Sequence, residues 1–222
     1  MALSRKSHGT AALSLPIAEK MRHNIAKSYD LSRTGDRRHY PNQNPCDRWE
    51  NVDYHNERVA IFVDGANMFY AQRVLGWHLD FARVIEYFTR GRQLYNAFYY
   101  TGVQVPPDNS QRDFLTALRH LGFTIREKSI KETMDQSSNA VIRRANLDIE
   151  IVVDMFNTAT RYDLAILMSG DGDFERAVEL LRSKGKEIVG VGTRGMISSE
   201  LENACDRYVK LEDIRSEVEK IR

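Results

Sequence analysis

The sequence lacks the features that mark several common classes of protein. Its 222 residues include only two cysteines, Cys46 and Cys205, which form no CxxC pair and have no histidine at a spacing typical of zinc sites. We therefore expect neither a disulfide framework nor a structural zinc site. A chain with so few cysteines is typical of a reducing compartment, and the predicted location is cytoplasmic.

Long apolar runs and a strong net charge are missing as well. No stretch approaches the roughly 18 to 20 apolar residues of a membrane span. Near the N-terminus, the apolar segment at 11–18 is interrupted by Ser14 and Pro16, so no signal peptide is predicted. The net charge is only +1, which means that any affinity for a polyanion depends on local clusters of charge.

Apolar periodicity divides the chain into three parts. Residues 1–57 are polar and mostly without a period, and predict a poorly ordered extension, a candidate surface for a protein partner or a homodimer. Residues 58–211 alternate apolar strands with amphipathic helices, and residues 212–222 predict a helical tail. This alternation predicts an α/β fold, a three-layer α/β/α Rossmann-like domain with a mainly parallel central sheet.

Two of the predicted strands end on acidic turns. Residues 59–63 are consecutive apolar residues followed by Asp64, and residues 164–168 lead into a glycine-rich turn that contains Asp171 and Asp173. Continuous apolar runs indicate strands covered on both faces. Open parallel sheets place their sites at carboxyl strand ends, where the winding direction reverses. We expect these two strands to be neighbours, about 4.8 Å apart.

The side chains predicted to converge there share oxygen donors, and are Asp64, Asn67, Asp148, Asp171 and Asp173. Carboxylates about 5 Å apart repel by roughly 3 kcal/mol at an effective dielectric near 20. Helix N-termini recover only about 0.3 to 1 kcal/mol each, so the cluster requires a cation. Oxygen ligands favour Mg²⁺ or Mn²⁺ over Zn²⁺, and the predicted metal ligands are Asp64, Asp148, Asp171 and Asp173.

Simpler interpretations compete with ligation. Aspartates before helices are ordinary N-caps, and Asp148 fits a cap of the helix predicted at 149–160 as well as it fits a ligand. Asp154 is a second-tier candidate, because it lies about 120° further round that helix. It either faces the site or bonds a neighbouring backbone group.

Candidate contacts for a nucleic acid lie nearby. Residues 129–146 are polar and aperiodic, and predict a long functional loop. In and beside it are four cations suited to phosphate groups, or to simple solvation, namely Lys128, Lys131, Arg143 and Arg144. Tyr70, Tyr99 and Tyr100 are candidates for stacking on unpaired bases, although packing within the domain is the favoured interpretation.

The runs FVDGAN at 62–67, LDIEIVVD at 147–154, YDLAILMSGDGDF at 162–174 and KGKEIVGVG at 184–192 occur in a specific order and spacing. In these runs the chain resembles the NYN domain family, PIN-like nucleases that include the LabA-like bacterial proteins. The resemblance covers about residues 58–211. It implies a PIN-like fold, metal-dependent cleavage of RNA, and a Mg²⁺ or Mn²⁺ site built by Asp64, Asp148, Asp171 and Asp173, with Asn67 assisting.

From these features we predict a divalent-metal-dependent ribonuclease, an endonuclease in which a metal-activated water attacks the phosphodiester. The predicted partner is single-stranded RNA, with no membrane partner. A second interpretation is a regulatory module of the same fold that binds RNA or protein with little or no turnover. A third is a phosphohydrolase that acts on small phosphorylated molecules.

Overall fold

In the residues that the structure describes, 57–134 and 141–221 of a computed structural model, eight strands form two sheets. The predicted extension lies outside the described residues, apart from Glu57. In chain order the strands are β1 (Arg58–Asp64), β2 (Gln93–Val103), β3 (Phe123–Ser129), β4 (Lys131–Met134), β5 (Val141–Arg144), β6 (Leu164–Met168), β7 (Glu187–Gly192) and β8 (Arg207–Lys210).

The helices connect these strands. They are α1 (Gly65–Leu75), α2 (Phe81–Thr89), α3 (Asn109–His120), α4 (Asp148–Asn157), α5 (Glu175–Ser183), α6 (Ser199–Ala204) and α7 (Arg215–Val218), with 3₁₀ turns at Gly172–Phe174 and Leu211–Ile214. Gly76 ends α1 at a positive φ of 73°, a backbone conformation that glycine adopts without steric cost. In the described part of the chain, no helix combines the length and apolarity needed to cross a membrane.

Side chains alternate across β1 and fill two separate cores. Val59, Ile61 and Val63 face a cluster built with α1, α2, α3 and α7, whereas Ala60 and Phe62 face a cluster built with α4, α5 and α6. All five are fully buried, as expected for a strand covered on both faces. The predicted three-layer α/β/α architecture is confirmed.

The central sheet has the order β3-β2-β1-β6-β7-β8, and its neighbouring strands are parallel. The chain moves outward from β1 to β3, then returns across the other face and continues outward from β6 to β8. The winding direction therefore reverses between β1 and β6. In this pair Val63 lies opposite Met168, so the turns that follow the two strands adjoin, as the sequence predicted.

The prediction of a long loop at residues 129–146 is wrong in part. Strands β4 and β5 pair in an antiparallel hairpin, with Lys131 opposite Arg144 and Glu132 opposite Arg143. Backbone ladder hydrogen bonds form independently of side-chain polarity. A polar segment without apolar alternation can therefore form a two-stranded ribbon that a search for hydrophobic periodicity does not find.

The C-terminal segment packs against α2. Ile214 and Val218 are buried. From α2, the Arg83 guanidinium donates to the carbonyl oxygen of Glu219 at 2.7 Å and to that of Ser216 at 2.5 Å. The predicted helical tail is thus short, and its apolar side chains complete the core on the α1 and α2 face.

The turn after β6 packs closely against the loop between β7 and α6. The Ser198 amide donates to the Gly170 carbonyl at 2.9 Å. A Cβ atom added at Gly170 would lie 2.1 Å from the Met196 carbonyl oxygen, whereas one added at Gly172 would first meet the Ser198 hydroxyl, at 2.9 Å. Only glycine fits at position 170 without movement of the backbone.

We therefore expect Gly170→Ala to lower the free energy of unfolding by about 1 to 3 kcal/mol, the usual cost of overpacking. Gly172→Ala is the matched control, because a side-chain atom can move more easily than a carbonyl group. Urea denaturation of the two variants measures the difference. Equal stability of Gly170→Ala and the wild type would show that the two loops separate at no cost.

Candidate metal centre

Asp64 lies where the apolar run of β1 ends and α1 begins. Its Oδ1 accepts a hydrogen bond from the Asn67 amide at 3.0 Å, so the side chain caps α1. Its Oδ2 accepts from the Ser169 hydroxyl at 3.1 Å. Both oxygens of this partly buried carboxylate are therefore oriented by the protein, one by its own helix and one by the turn after β6.

Further hydrogen bonds join the two turns. Asn67 Oδ1 accepts from the Gly170 amide at 3.2 Å, and Ser169 Oγ accepts from the Asp171 amide at 3.2 Å. On its other side, the Ser169 carbonyl accepts from the Tyr208 hydroxyl at 3.2 Å. Asn67 and Ser169 thus hold the carboxyl ends of β1 and β6 in one arrangement.

Three carboxylates meet beside these turns. Asp148, Asp171 and Asp173 each offer one oxygen atom, and the three atoms lie within 4.8 Å of one another. Asp171 Oδ1 also accepts from the Asp173 amide at 3.0 Å, which fixes the 3₁₀ turn. Asp64 stands beside this group and is not a member of it.

The interpretation of Asp148 as an N-cap is wrong. Leu147 occupies the cap position of α4, and Asp148 is the first helical residue. The Asp148 amide donates to Asn146 Oδ1 at 2.8 Å, so a different side chain satisfies this end of the helix. The carboxylate of Asp148, which also has a hydrogen bond with the Asn146 side chain, contributes one oxygen to the acidic group.

Burial and mutual repulsion make the acidic site unfavourable for negative charge. Burial raises the pKa of Asp64, and the charge of Asp148 adds to the effect despite opposing hydrogen bonds from Asn67 and Ser169. Burial also raises the pKa of Asp148, assisted by the charges of Asp171 and Asp173. Among the side chains that the structure describes, which do not include those of the β4–β5 hairpin, no lysine or arginine forms a salt bridge with these four aspartates. Their charge calls for a bound cation.

The chemistry of the donor set fits a hard divalent cation. The group offers carboxylate oxygens alone, and Asp173 is exposed, which leaves access for water ligands. Mg²⁺ and Mn²⁺ prefer such sites, whereas zinc sites usually include thiolate or imidazole ligands. The residues present therefore fit Mg²⁺ or Mn²⁺.

Asp154 has partners of its own on the face of the sheet that α4 covers. It is 8% exposed and accepts from the Tyr100 hydroxyl at 3.0 Å. Arg126 donates to both of its oxygens, at 2.8 and 3.0 Å. These bonds tie α4 to β2 and β3, so the structure places Asp154 in a supporting network rather than in the three-carboxylate group.

The predicted substrate-binding cations lie around the start of α4. Lys128 Nζ donates to the Asn146 carbonyl and to Glu150, both at 2.9 Å. Lys131, Arg143 and Arg144 lie on the β4–β5 hairpin, of which the structure describes the backbone. The hairpin leads directly, through residues 145–147, to Asp148.

Two residues at this edge of the domain were missed by sequence reasoning. Ser169 is fully buried and bonds both acidic turns; its position just after a continuous apolar strand was the available signal. Phe69 is exposed next to Tyr70, whereas Tyr99 and Tyr100 are buried. Tyr70 is thus the one stacking candidate of the three that the fold leaves accessible.

Fold and site together define an α/β domain with a group of three aspartates at the switch point of a parallel sheet. The NYN domain family model matches residues 58–212. The "Low amplitude and bright protein LabA" of Synechococcus elongatus is 56% identical over 166 residues, which are 73% of this chain and 88% of LabA. The chain belongs to the NYN domain family, whose domains are PIN-like and nuclease-like.

More distant relatives extend this comparison. An uncharacterized protein of Methanocaldococcus jannaschii is 22% identical over 169 residues, or 74% of this chain and 60% of that protein. The crystal structure of a protein of unknown function from Vibrio parahaemolyticus superposes with a TM-score of 0.63 at 26% identity. The match covers 75% of this chain and 98% of that one, so the shared fold comprises nearly all of the Vibrio protein.

The raised pKa of Asp148 leads to a prediction about stability. Native Asp148 binds its proton at a higher pH than the unfolded chain, whose value is near 3.8, so its charge destabilises the metal-free protein above the raised pKa. We expect Asp148→Asn to raise the melting temperature of metal-free protein at pH 7. The gain should shrink as the pH falls through the raised pKa. The variant should also lose the melting-temperature increase that Mn²⁺ gives the wild type.

Asp163→Asn is a control in which the expected change in stability has the opposite sign to that of Asp148→Asn. Burial acts to raise the pKa of Asp163, but hydrogen bonds and charge from Arg58 hold it below its usual value, and Arg58 approaches it at 3.0 Å through the backbone amide. This variant should lose stability at pH 7 and keep the full response to Mn²⁺. Scanning calorimetry with and without the ion tests both variants. A wild type unaffected by millimolar Mn²⁺ would contradict the metal site.

Proposed function

We propose that the chain is a divalent-metal-dependent ribonuclease, an endonuclease that acts in the cytoplasm and hydrolyses RNA phosphodiester bonds with water as the nucleophile. The observation that carries the proposal is the meeting of Asp148, Asp171 and Asp173 within 4.8 Å at the switch point. Membership of a nuclease-like family that generally uses divalent metals, and whose domains generally bind RNA, supports it.

In this proposal the acidic group binds a Mg²⁺ or Mn²⁺ ion. When bound, such a cation neutralises charge on the phosphodiester and lowers the pKa of a water molecule. Asp148, Asp171 and Asp173 hold it, and Asp64 is the proposed fourth ligand.

Asn67 has two tasks in the same scheme. Its Oδ1 accepts from the Gly170 amide and keeps the turns after β1 and β6 together. Its side-chain NH₂ group then serves to donate to a phosphate oxygen and orient the scissile bond. Because Asn67 lies in the first turn of α1, the partial positive charge of that helix end also favours an anion here.

No protein nucleophile takes part. Ser169 is the hydroxyl nearest to the acidic turns in chain order, but it is fully buried and donates to Asp64 while accepting from the Asp171 amide. A hydroxyl held in this way is not free to attack a phosphorus atom. Water is the remaining nucleophile.

The strand of RNA is held by cations beside the acidic group. We assign this task to Lys128, which is exposed beside Asn146 and Glu150 at the start of α4, and to the hairpin residues Lys131, Arg143 and Arg144. Cations that contact phosphates position a nucleic acid without reading its sequence. A protein partner or homodimer contact through residues 1–57 stays a prediction, since nearly all of that segment lies outside the described residues.

A binding module that turns over little RNA is the second candidate function. The observation that favours it is the engagement of both Asp64 oxygens by protein donors, the Asn67 amide and the Ser169 hydroxyl. A carboxylate satisfied by the protein has less need of a cation or a proton. In such a module the acidic edge would bind RNA and an ion without cleaving the strand.

The test is cleavage of a labelled single-stranded RNA during a titration with Mn²⁺. We expect product with the wild type and a loss of rate of about 100-fold or more in Asp171→Asn, because removal of a ligand weakens metal binding. Asp213→Asn is a matched control, since Asp213 is an exposed aspartate paired with Arg194 after β8. It should cleave at the wild-type rate.

Each alternative has its own signature in the same assay. Tight RNA binding without product at every Mn²⁺ concentration would remove the nuclease and support the binding module. Faster turnover of a small phosphoester than of RNA would support a phosphohydrolase. Cleavage that is equally fast in Asp171→Asn would show that the product comes from a contaminating enzyme.

A further inference from the structure

Helix α1 exposes two adjacent aromatic side chains. Phe69 is 55% exposed and Tyr70 is 57% exposed, and their rings pack edge to face with centroids 5.6 Å apart. Val74, on the next turn, is 66% exposed. Neither ring belongs to the two hydrophobic cores of the domain. We call Phe69 and Tyr70 the α1 aromatic pair.

The α1 aromatic pair lies on the helix that begins at the acidic site. Helix α1 begins immediately after Asp64 and carries Asn67 in its first turn. Tyr70 follows Asn67 by three residues, so it lies about 4.5 Å further along the axis on a neighbouring part of the same face. The buried side of the helix is formed by Gly65, Met68 and Ala71. Tyr70 therefore lies on the part of the solvent-exposed surface of α1 that is nearer to Asn67, and Phe69, which packs against Tyr70, lies further round the helix.

A cation accompanies these rings. The Arg73 guanidinium carbon lies 5.8 Å from the centre of the Phe69 ring, in the geometry of a cation–π contact. Helix α1 thus presents aromatic faces and a positive charge on the same helix that carries Asn67. Aromatic rings with nearby cations are the combination by which proteins hold unpaired nucleotides, because every base has a π-face to stack.

A second copy of the chain is a poorer occupant for this surface. Stable interfaces between proteins use about 20 to 30 residues on each side. On α1 the exposed apolar side chains are Phe69, Tyr70 and Val74, which is a patch on the scale of one or two bases. The charge of Arg73 also suits the negative backbone of a nucleic acid.

We propose that the α1 aromatic pair is a base-stacking subsite for single-stranded RNA, which takes an unpaired base close to the phosphodiester held at the acidic centre. The inference rests on the proposed function and adds to it a reason for strand preference. A base in a duplex must first give up its pairing and its stacking on neighbouring bases before it can enter the subsite. An unpaired base can enter without this cost.

Binding of a short fluorescent single-stranded RNA to the full chain, measured by anisotropy in EDTA, tests the subsite without cleavage. We expect Tyr70→Ala and Phe69→Ala each to weaken binding by about 5- to 100-fold, the range of one lost base stack. Tyr70→Phe keeps the ring and should bind within about twofold of the wild type. Thermal melting confirms that the variants fold.

Tyr95→Ala is the matched control. Tyr95 is an exposed tyrosine, 37% accessible, in the first half of β2. It therefore lies towards the amino ends of the strands, whereas the acidic site lies at their carboxyl ends. Its removal should leave RNA affinity unchanged. An equal loss of affinity in Tyr95→Ala and Tyr70→Ala would overturn the inference, because a general effect of tyrosine removal would then explain both.

Oligonucleotides without bases identify the contacted group. An RNA analogue with abasic positions should bind the wild type more weakly than the normal strand does, and Tyr70→Ala should weaken it no further, because the base and the ring belong to one interaction. Duplex RNA should bind the wild type and Tyr70→Ala equally. Equal losses with normal, abasic and duplex RNA would overturn the inference.

The inference and the proposed function can fail separately. If the wild type fails to cleave RNA in Mn²⁺ but loses base-dependent binding in Tyr70→Ala, the subsite stands and belongs to a binding module. If cleavage occurs and both alanine variants bind and cleave like the wild type, the nuclease stands and the subsite is overturned. A change in sedimentation with unchanged RNA affinity would instead make the pair an interface between copies, which also overturns it.

Discussion

The parallel pairing of β1 with β6 is the constraint on which the rest of the site depends. These strands are distant in the chain, yet their register places Val63 opposite Met168 and brings the following turns into contact. Hydrogen bonds from Ser169 to Asp64 and from the Gly170 amide to Asn67 then fix the turns. A shift of this register would separate the carboxylates, even if every helix and strand stayed intact.

The same pairing concentrates negative charge at an edge of the domain supported by two apolar cores. The acidic group and Asp64 are close enough that burial and repulsion raise the pKa of Asp64 and Asp148. The fold tolerates this cost because residues 59–63 of β1 and all of β6 are buried, and each of the two strands pairs with a neighbour on both sides. Proteins commonly retain such unfavourable arrangements at functional sites, where stability and activity compete.

Different features flank the acidic group on the two faces of the sheet. Helix α1, with Phe69 and Tyr70, lies on one face, and α4, preceded by the β4–β5 hairpin and its cations, lies on the other. Under the two proposals, an RNA strand crosses the carboxyl edge of the sheet between them. Base stacking on the α1 side and phosphate contacts on the α4 side would position the scissile bond at the acids.

The sequence by itself determined the strands of the central sheet, most of the helices and the positions of Asp64 and Asp171, because burial on both faces of a sheet requires continuous apolar runs that end where water begins. Periodicity could not reveal the β4–β5 hairpin, since backbone pairing needs no apolar pattern. Nor could it separate Tyr70 from the buried Tyr99 and Tyr100, or show that Leu147 takes the cap position. Only the tertiary structure decided these points, because they depend on contacts between segments far apart in the chain, whose geometry no local pattern encodes.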